Sequence, residues 1–136
     1  VIEAYVPNNN RSQLIEKEHY KIVLDAYNAN PTSMKSAIDS FVVMKSEKKA
    51  VILGAMKELG ADTAVEHETL TDSLLDTGAL DCIVLVGSEY QANRKDGIHY
   101  FDSVEALKPW YEAQDWTDYL ILIKGSRSNQ LEKVLG

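Results

Sequence analysis

The sequence predicts an α/β protein: a three-layer sandwich whose mostly parallel sheet of about five or six strands is covered by helices on both faces. Three observations lead there. Short apolar runs alternate along the chain with segments of helical period. The runs are continuous rather than alternating in polarity, as in parallel strands buried on both sides. The chain has 136 residues, 45% of them apolar, which suits one domain around one core.

The elements follow in order. IEAYV at 2–6 reads as an edge strand, and NNNRSQ after it as a polar loop or hairpin turn. YKIVLD at 20–25 is the first buried strand. Residues 31–44 then read as a helix, because Met34, Ala37, Ile38, Phe41 and Val42 fall on one face, with Thr32 and Ser33 as its caps. KAVILGA at 49–55 is the next strand. A helix over 63–76 carries Leu70 and Leu74 on one side and stops before Gly78. CIVLVG at 82–87 and IHYF at 98–101 are strands. Asp102 or Ser103 caps a helix bearing Val104, Leu107 and Tyr111, which Pro109 is predicted to kink or shorten. DYLILIKG at 118–125 is the last strand and NQLEKVL a short final helix. A strand–helix–strand alternation of this kind implies right-handed crossovers.

Bulk properties narrow the function. The net charge of −7 argues against a nucleic-acid partner, which calls for a basic face. No run approaches the ~18 apolar residues of a membrane span, and no basic segment followed by an apolar one opens the chain. A cytoplasmic location is expected. The first residue is not Met and the pattern opens abruptly, which points to a piece of a longer chain. The single cysteine, Cys82, lies in an apolar run and reads as an inert thiol in a reducing compartment. His19, His67 and His99 lack metal-ligand spacing, so no metal site is predicted, and His67 reads as a satisfied structural histidine.

In an open parallel sheet, ligands bind beyond the carboxyl ends of the strands. Those ends carry DAYNANP, GAMKELG, GSEYQAN and KGSRSN, which gather Asp25, Tyr27, Asn28, Asn30, Lys57, Lys124, Ser126 and Arg127 on one rim. Each has a plain alternative. Asp25 and Asn28 also suit helix caps or Asx turns, although one cap suffices for one helix. A strand-end carboxylate also suits the hydroxyls of a ribose, and a carboxamide suits a purine edge or an amide. The KGSR turn is either an exposed basic corner or an anion site, where Arg127 would grip a carboxylate or phosphate through two bonds. There is no GxxxxGK[ST] phosphate loop and no GxGxxG, so the chain alone has no standard cradle for a triphosphate.

DAYNANPTSM, ILGAMKELG followed by His67, and IKGSRSNQLEKVL resemble three successive signatures of the C-terminal domain of the Mur ligase family. The likeness runs from about Arg11 to the end of the chain, and within the family it is to the branch that handles D-Ala-D-Ala. It implies a Rossmann-like single domain over 1–136, the last of three in the intact enzyme, with 1–19 as edge strand and hinge-proximal loop. The missing N-terminal and central domains would bind the UDP-sugar and supply the phosphate loop and metal. The implied reaction is ATP-dependent. The terminal carboxylate of UDP-MurNAc-tripeptide is phosphorylated, and the amine of D-Ala-D-Ala attacks the acyl phosphate to form a peptide bond. By the same resemblance Arg11, Asp25, Asn28 and Asn30 serve ATP, while Lys124, Ser126 and Arg127 serve the dipeptide. ATP and Mg2+ belong to the intact enzyme, and neither is expected to bind this piece tightly. Relatives commonly carry Asp where this sequence has Ala55, so no role is assigned there. Two other readings stand beside this one: a free-standing nucleotide or small-metabolite binding module, and an interaction domain working through its acidic surface.

Overall fold

The computed structural model describes residues 13–25, 29–126 and 129–135. Six strands form one sheet in the order β1-β2-β6-β3-β4-β5. They are β1 (Gln13–Glu16), β2 (Lys21–Asp25), β3 (Lys48–Gly54), β4 (Cys82–Val86), β5 (His99–Phe101) and β6 (Tyr119–Lys124). Strand β1 pairs antiparallel with β2, and all other pairings are parallel. The edge strand anticipated at 2–6 lies outside the described residues; β1 is a later edge strand within the predicted 1–19 region.

Among the described residues three α-helices cover the sheet: α1 (Pro31–Val42), α2 (Thr63–Asp76) and α3 (Val104–Ala113). Strand side chains alternate between faces, and each buried strand feeds two cores. Val51 and Leu53 of β3 join Met34, Ile38 and Phe41 of α1 and Leu70 and Leu74 of α2. Ala50 and Ile52 of the same strand join Val104, Leu107 and Tyr111 of α3, with Leu131 and Val134 from the closing 3₁₀ segment Leu131–Leu135. Burial on both faces is why these strands read as unbroken apolar runs.

Helix α1 starts at Pro31, and its cap is Asn30 rather than Thr32 or Ser33. The Asn30 Oδ1 accepts from the Ser33 N–H at 2.8 Å, and the Ser33 Oγ accepts from the Asn30 N–H at 3.0 Å, a reciprocal capping box. Helix α3 is capped by Ser103, whose Oγ accepts from the Ala106 N–H at 3.2 Å. It runs four residues past Pro109, to Ala113. Leu107 and Tyr111 are buried against the sheet on either side of that proline. The Trp116 Nε1–H also donates to the Tyr111 carbonyl at 3.0 Å, which fastens the helix end.

The sheet order sets up a crevice. The chain leaves β2 and β3 toward α1 and α2 on one face, but leaves β6 toward the 3₁₀ segment on the other. Strand β6 sits between β2 and β3. Loops therefore part to opposite faces on both sides of β6, which is where open α/β sheets present a ligand crevice.

Candidate functional site

The register brings the strand ends level on the carboxyl rim. Asp25 of β2 lies opposite Lys124 of β6, Lys124 opposite Leu53 of β3, and Gly54 opposite Val86 of β4. The Gly125 N–H donates to the Asp25 carbonyl at 3.1 Å, tying the β2 and β6 exits together. Residues 100 positions apart in the chain thus share one corner.

The Asp25–Lys124 pair is the chemical centre of that corner. The Lys124 Nζ donates to the Asp25 Oδ2 at 2.8 Å, and the two side chains are only 3% and 14% exposed. By strand alternation both stand on the α1/α2 side of the sheet, with Val23 and Leu122 beneath them.

The turn after β6 faces the other way. The Asn129 Oδ1 accepts from the Ser126 N–H at 2.7 Å and from the Ser126 Oγ–H at 3.0 Å. The same carboxamide fills the space over two glycines. A Cβ on Gly54 would lie 2.5 Å from the Asn129 Cγ, and one on Gly125 would lie 2.8 Å from its Oδ1. Both strand ends are glycine because Asn129 occupies the volume a side chain would take. Beside this turn a cleft of about 270 Å³ runs from Asn129 past Lys57, Glu89 and Ser88 to Ser103. The Lys57 Nζ meets the Glu89 Oε2 at 3.2 Å across it. Burial pushes the Glu89 carboxyl up, but its own backbone N–H and Lys57 outweigh this and hold it below the usual range.

The turn after β3 is fastened from beneath. His67 of α2 is 2% exposed. Its Nε2 accepts from the Met56 N–H at 2.9 Å and its Nδ1 lies 2.6 Å from the Thr63 carbonyl, which fixes the Nδ1–H tautomer. Tyr90 packs edge-on against the His67 ring, centroids 4.7 Å apart, and donates its hydroxyl to the Gly54 carbonyl at 2.8 Å. The structural reading of His67 agrees with this geometry. Ala55 is fully buried, and its Cβ sits 2.8 Å from where a Cβ on Gly87 would be, a residue at φ 130°.

Of the residues singled out from sequence, the rim brings together Asp25, Lys124 and Ser126. Asn30 is half-buried and its Oδ1 is engaged in the α1 cap. Arg11, Asn28, Arg127 and Tyr27 lie outside the described residues. Sequence reasoning missed Asn129 and Tyr90 as rim braces; the only signal was their position just past strand ends. Cys82 is half-buried, and its thiol is pushed up to about 11 by burial and then by Asp81. Wider clefts, of about 410 and 390 Å³, open on the opposite rim around His19 and Tyr20, away from this corner. Among the described residues no group of three or more His, Cys, Asp or Glu could hold a metal ion, and no helix is long and apolar enough to cross a membrane.

Known proteins resemble this chain over most of its length. The family model described as "Mur ligase, glutamate ligase domain" matches residues 10–127. The UDP-N-acetylmuramoyl-tripeptide–D-alanyl-D-alanine ligase of Rickettsia prowazekii is 33% identical over 132 residues, 92% of this chain and 29% of that protein. The enzyme of the same name from Bacillus subtilis is 31% identical over 135 residues, again 92% of this chain and 29% of the relative. Among solved structures, the MurF ligase of Thermotoga maritima in complex with ADP superposes with a TM-score of 0.77 at 28% identity, covering 96% of this chain and 30% of that one. MurF from Acinetobacter baumannii superposes with a TM-score of 0.80 at 27% identity and the same coverage. The chain therefore spans less than a third of the length of the relatives it matches.

Proposed function

The chain belongs to the Mur ligase family, and we propose that it is the C-terminal domain of an ATP-dependent ligase joining D-Ala-D-Ala to UDP-MurNAc-tripeptide in peptidoglycan synthesis. One observation carries this reading. Asp25 and the Gly125–Ser126 corner, far apart in sequence, are hydrogen-bonded neighbours beside the crevice flanking β6. On this reading the rim is one side of a pocket that N-terminal and central domains of the same protein would complete. Location in the cytoplasm, where ATP and the UDP-sugar are available, is part of the reading.

In the closed enzyme Asp25 accepts from the ribose hydroxyls of ATP, with Asn28 and Asn30 lining the adenosine side. The Asn30 Oδ1 serves the α1 cap, so its contribution comes from its amide nitrogen. Arg11 reaches the nucleotide phosphates on closure. The Ser126–Arg127 turn faces the incoming dipeptide, where Arg127 is suited to its carboxylate through paired hydrogen bonds. Mg2+, when bound, screens the phosphate charge. The reading assigns it to the central domain, as the family resemblance implies. Closing this rim over the nucleotide excludes water that would otherwise hydrolyse an acyl phosphate.

The test uses the intact ligase with Asp25→Ala and Arg11→Ala. Both variants are expected to lose D-Ala-D-Ala-dependent phosphate release, Asp25→Ala chiefly through a higher KM for ATP. Wild-type kinetics in both would remove the two residues from the mechanism and the reading with them.

A further inference from the structure

Lys124 was grouped from sequence with the dipeptide-facing turn, but its surroundings differ from those of Ser126. Its side chain is on the α1/α2 side, with Asp25, whereas Leu131 packs on the opposite face. Its Nζ is 2.8 Å from the Asp25 Oδ2 and its side chain is 3% exposed, so it does not extend into the dipeptide side of the rim. A buried ion pair is also a poor device for stability alone. Both charges give up water, and apolar residues of similar volume commonly do as well. Every other residue of β6 after Tyr119 is apolar and buried. The one charge in the strand interior sits at its carboxyl end, beside the crevice.

The geometry points to Lys124 as a positioning residue for Asp25: by holding one carboxylate oxygen at 2.8 Å it restricts the orientations the carboxyl group can take toward a ribose. The inference rests on the reading that the intact enzyme takes ATP at this rim. A carboxylate fixed from behind loses less freedom when the nucleotide arrives, and an acceptor held in place binds a pair of hydroxyls better than a mobile one. Lys124 thereby belongs to nucleotide selectivity and not to the dipeptide.

The experiment measures, in the intact ligase, kcat and KM for ATP, 2′-deoxy-ATP and 3′-deoxy-ATP, with KM for D-Ala-D-Ala alongside. The wild type is expected to favour ATP over the deoxy analogues roughly ten-fold or more, as befits hydrogen bonds to a charged group. Asp25→Asn should bring the ratio to within about three-fold of unity. Lys124→Met should reduce the ratio by at least about three-fold while KM for D-Ala-D-Ala stays within about two-fold of wild type. Lys124→Gln, which keeps a neutral donor toward Asp25, should fall between; it carries the test if the methionine variant does not fold. A merely structural lysine would lower the amount of active enzyme without moving the ribose preference. If Asp25→Asn removes the preference and both Lys124 variants keep it, the inference is wrong and the ribose reading stands. If Asp25→Asn keeps it, the ribose reading itself fails. A rise in KM for D-Ala-D-Ala at an unchanged ribose ratio would return Lys124 to the dipeptide side and overturn the inference.

Discussion

Gly54 and Asn129 should be energetically coupled although 75 positions separate them. Asn129→Ala removes the acceptor for the Ser126 N–H and Oγ–H, at 2.7 and 3.0 Å, and is expected to cost about 1–3 kcal/mol. Gly54→Ala inserts a Cβ 2.5 Å from the Asn129 Cγ, an overpacking expected to cost about 1–3 kcal/mol. In the double variant the obstructing carboxamide is gone, and only the Asn129 Cβ, 3.0 Å away, remains to be accommodated. The second substitution is then cheaper than the first, and the double variant should be more stable than the additive sum by about 1 kcal/mol or more. Urea unfolding of the four proteins closes the cycle. Thermal melting reads the same effect at about 3–5 °C per kcal/mol for a domain of this size. Additivity within about 0.5 kcal/mol would refute the idea that the Asn129 side chain fills the space over Gly54.

Three further outcomes follow from the same geometry. His67→Phe leaves the Met56 N–H and the Thr63 carbonyl without their buried partner and should cost about 2–4 kcal/mol; a melting point within about 3 °C of wild type would contradict that. The raised Cys82 pKa, about 11 against an ordinary 9.0, means the fold favours the protonated thiol. Its contribution to stability is complete below pH 9 and lost as pH rises toward 11, which urea midpoints across that window would show. At pH 8 its alkylation should be about 100-fold slower than that of free cysteine, and comparable rates would mean the thiol is not desolvated. The isolated chain should bind ATP weakly and turn over none of it with D-Ala-D-Ala; a dissociation constant near about 1 μM by calorimetry would show that the half-pocket has been misjudged.

The layers of this fold were legible because strands buried on both faces leave a plain mark. Val51, Ile52 and Leu53 must all be apolar when alternate side chains enter opposite cores. Helix α2 was legible from end to end because its apolar face and its stop agree. The start of α1 was legible at Pro31, but its cap was not. Asn30, Thr32 and Ser33 are all good caps, and the choice went to the residue before Pro31, whose fixed φ suits the first helical position. Pro109 does not end α3, which runs on to Ala113 with Leu107 and Tyr111 buried on either side of it. At the site, the rim residues could be collected from strand ends, but not their partners. Nothing near Lys124 in sequence says that its Nζ meets a carboxylate 99 positions earlier. That follows from β6 slipping between β2 and β3, a strand order that apolar runs do not encode.

Charge explains why such a rim would work only as one side of a closing pocket. The chain carries a net charge of −7, and ATP is itself an anion. Among the described residues of the rim, Lys124 faces Asp25 at 2.8 Å and Lys57 faces Glu89 at 3.2 Å, so both cations are already matched by carboxylates. These two pairs therefore add little net field to draw in a polyphosphate, and the overall sign of the chain opposes it. Hydrogen bonds to a ribose and an adenine can orient a nucleotide that is already held, but they do not offset that repulsion and the cost of association together. Under the proposed function, this balance calls for the nucleotide to be captured first by a phosphate-binding domain whose cations and metal would offset its charge. The rim described here would then meet a ligand of reduced charge. On that reading its acidic surface would cease to be an obstacle once the Asp25 carboxylate, held by Lys124 at 2.8 Å, has ribose hydroxyls to accept hydrogen bonds from.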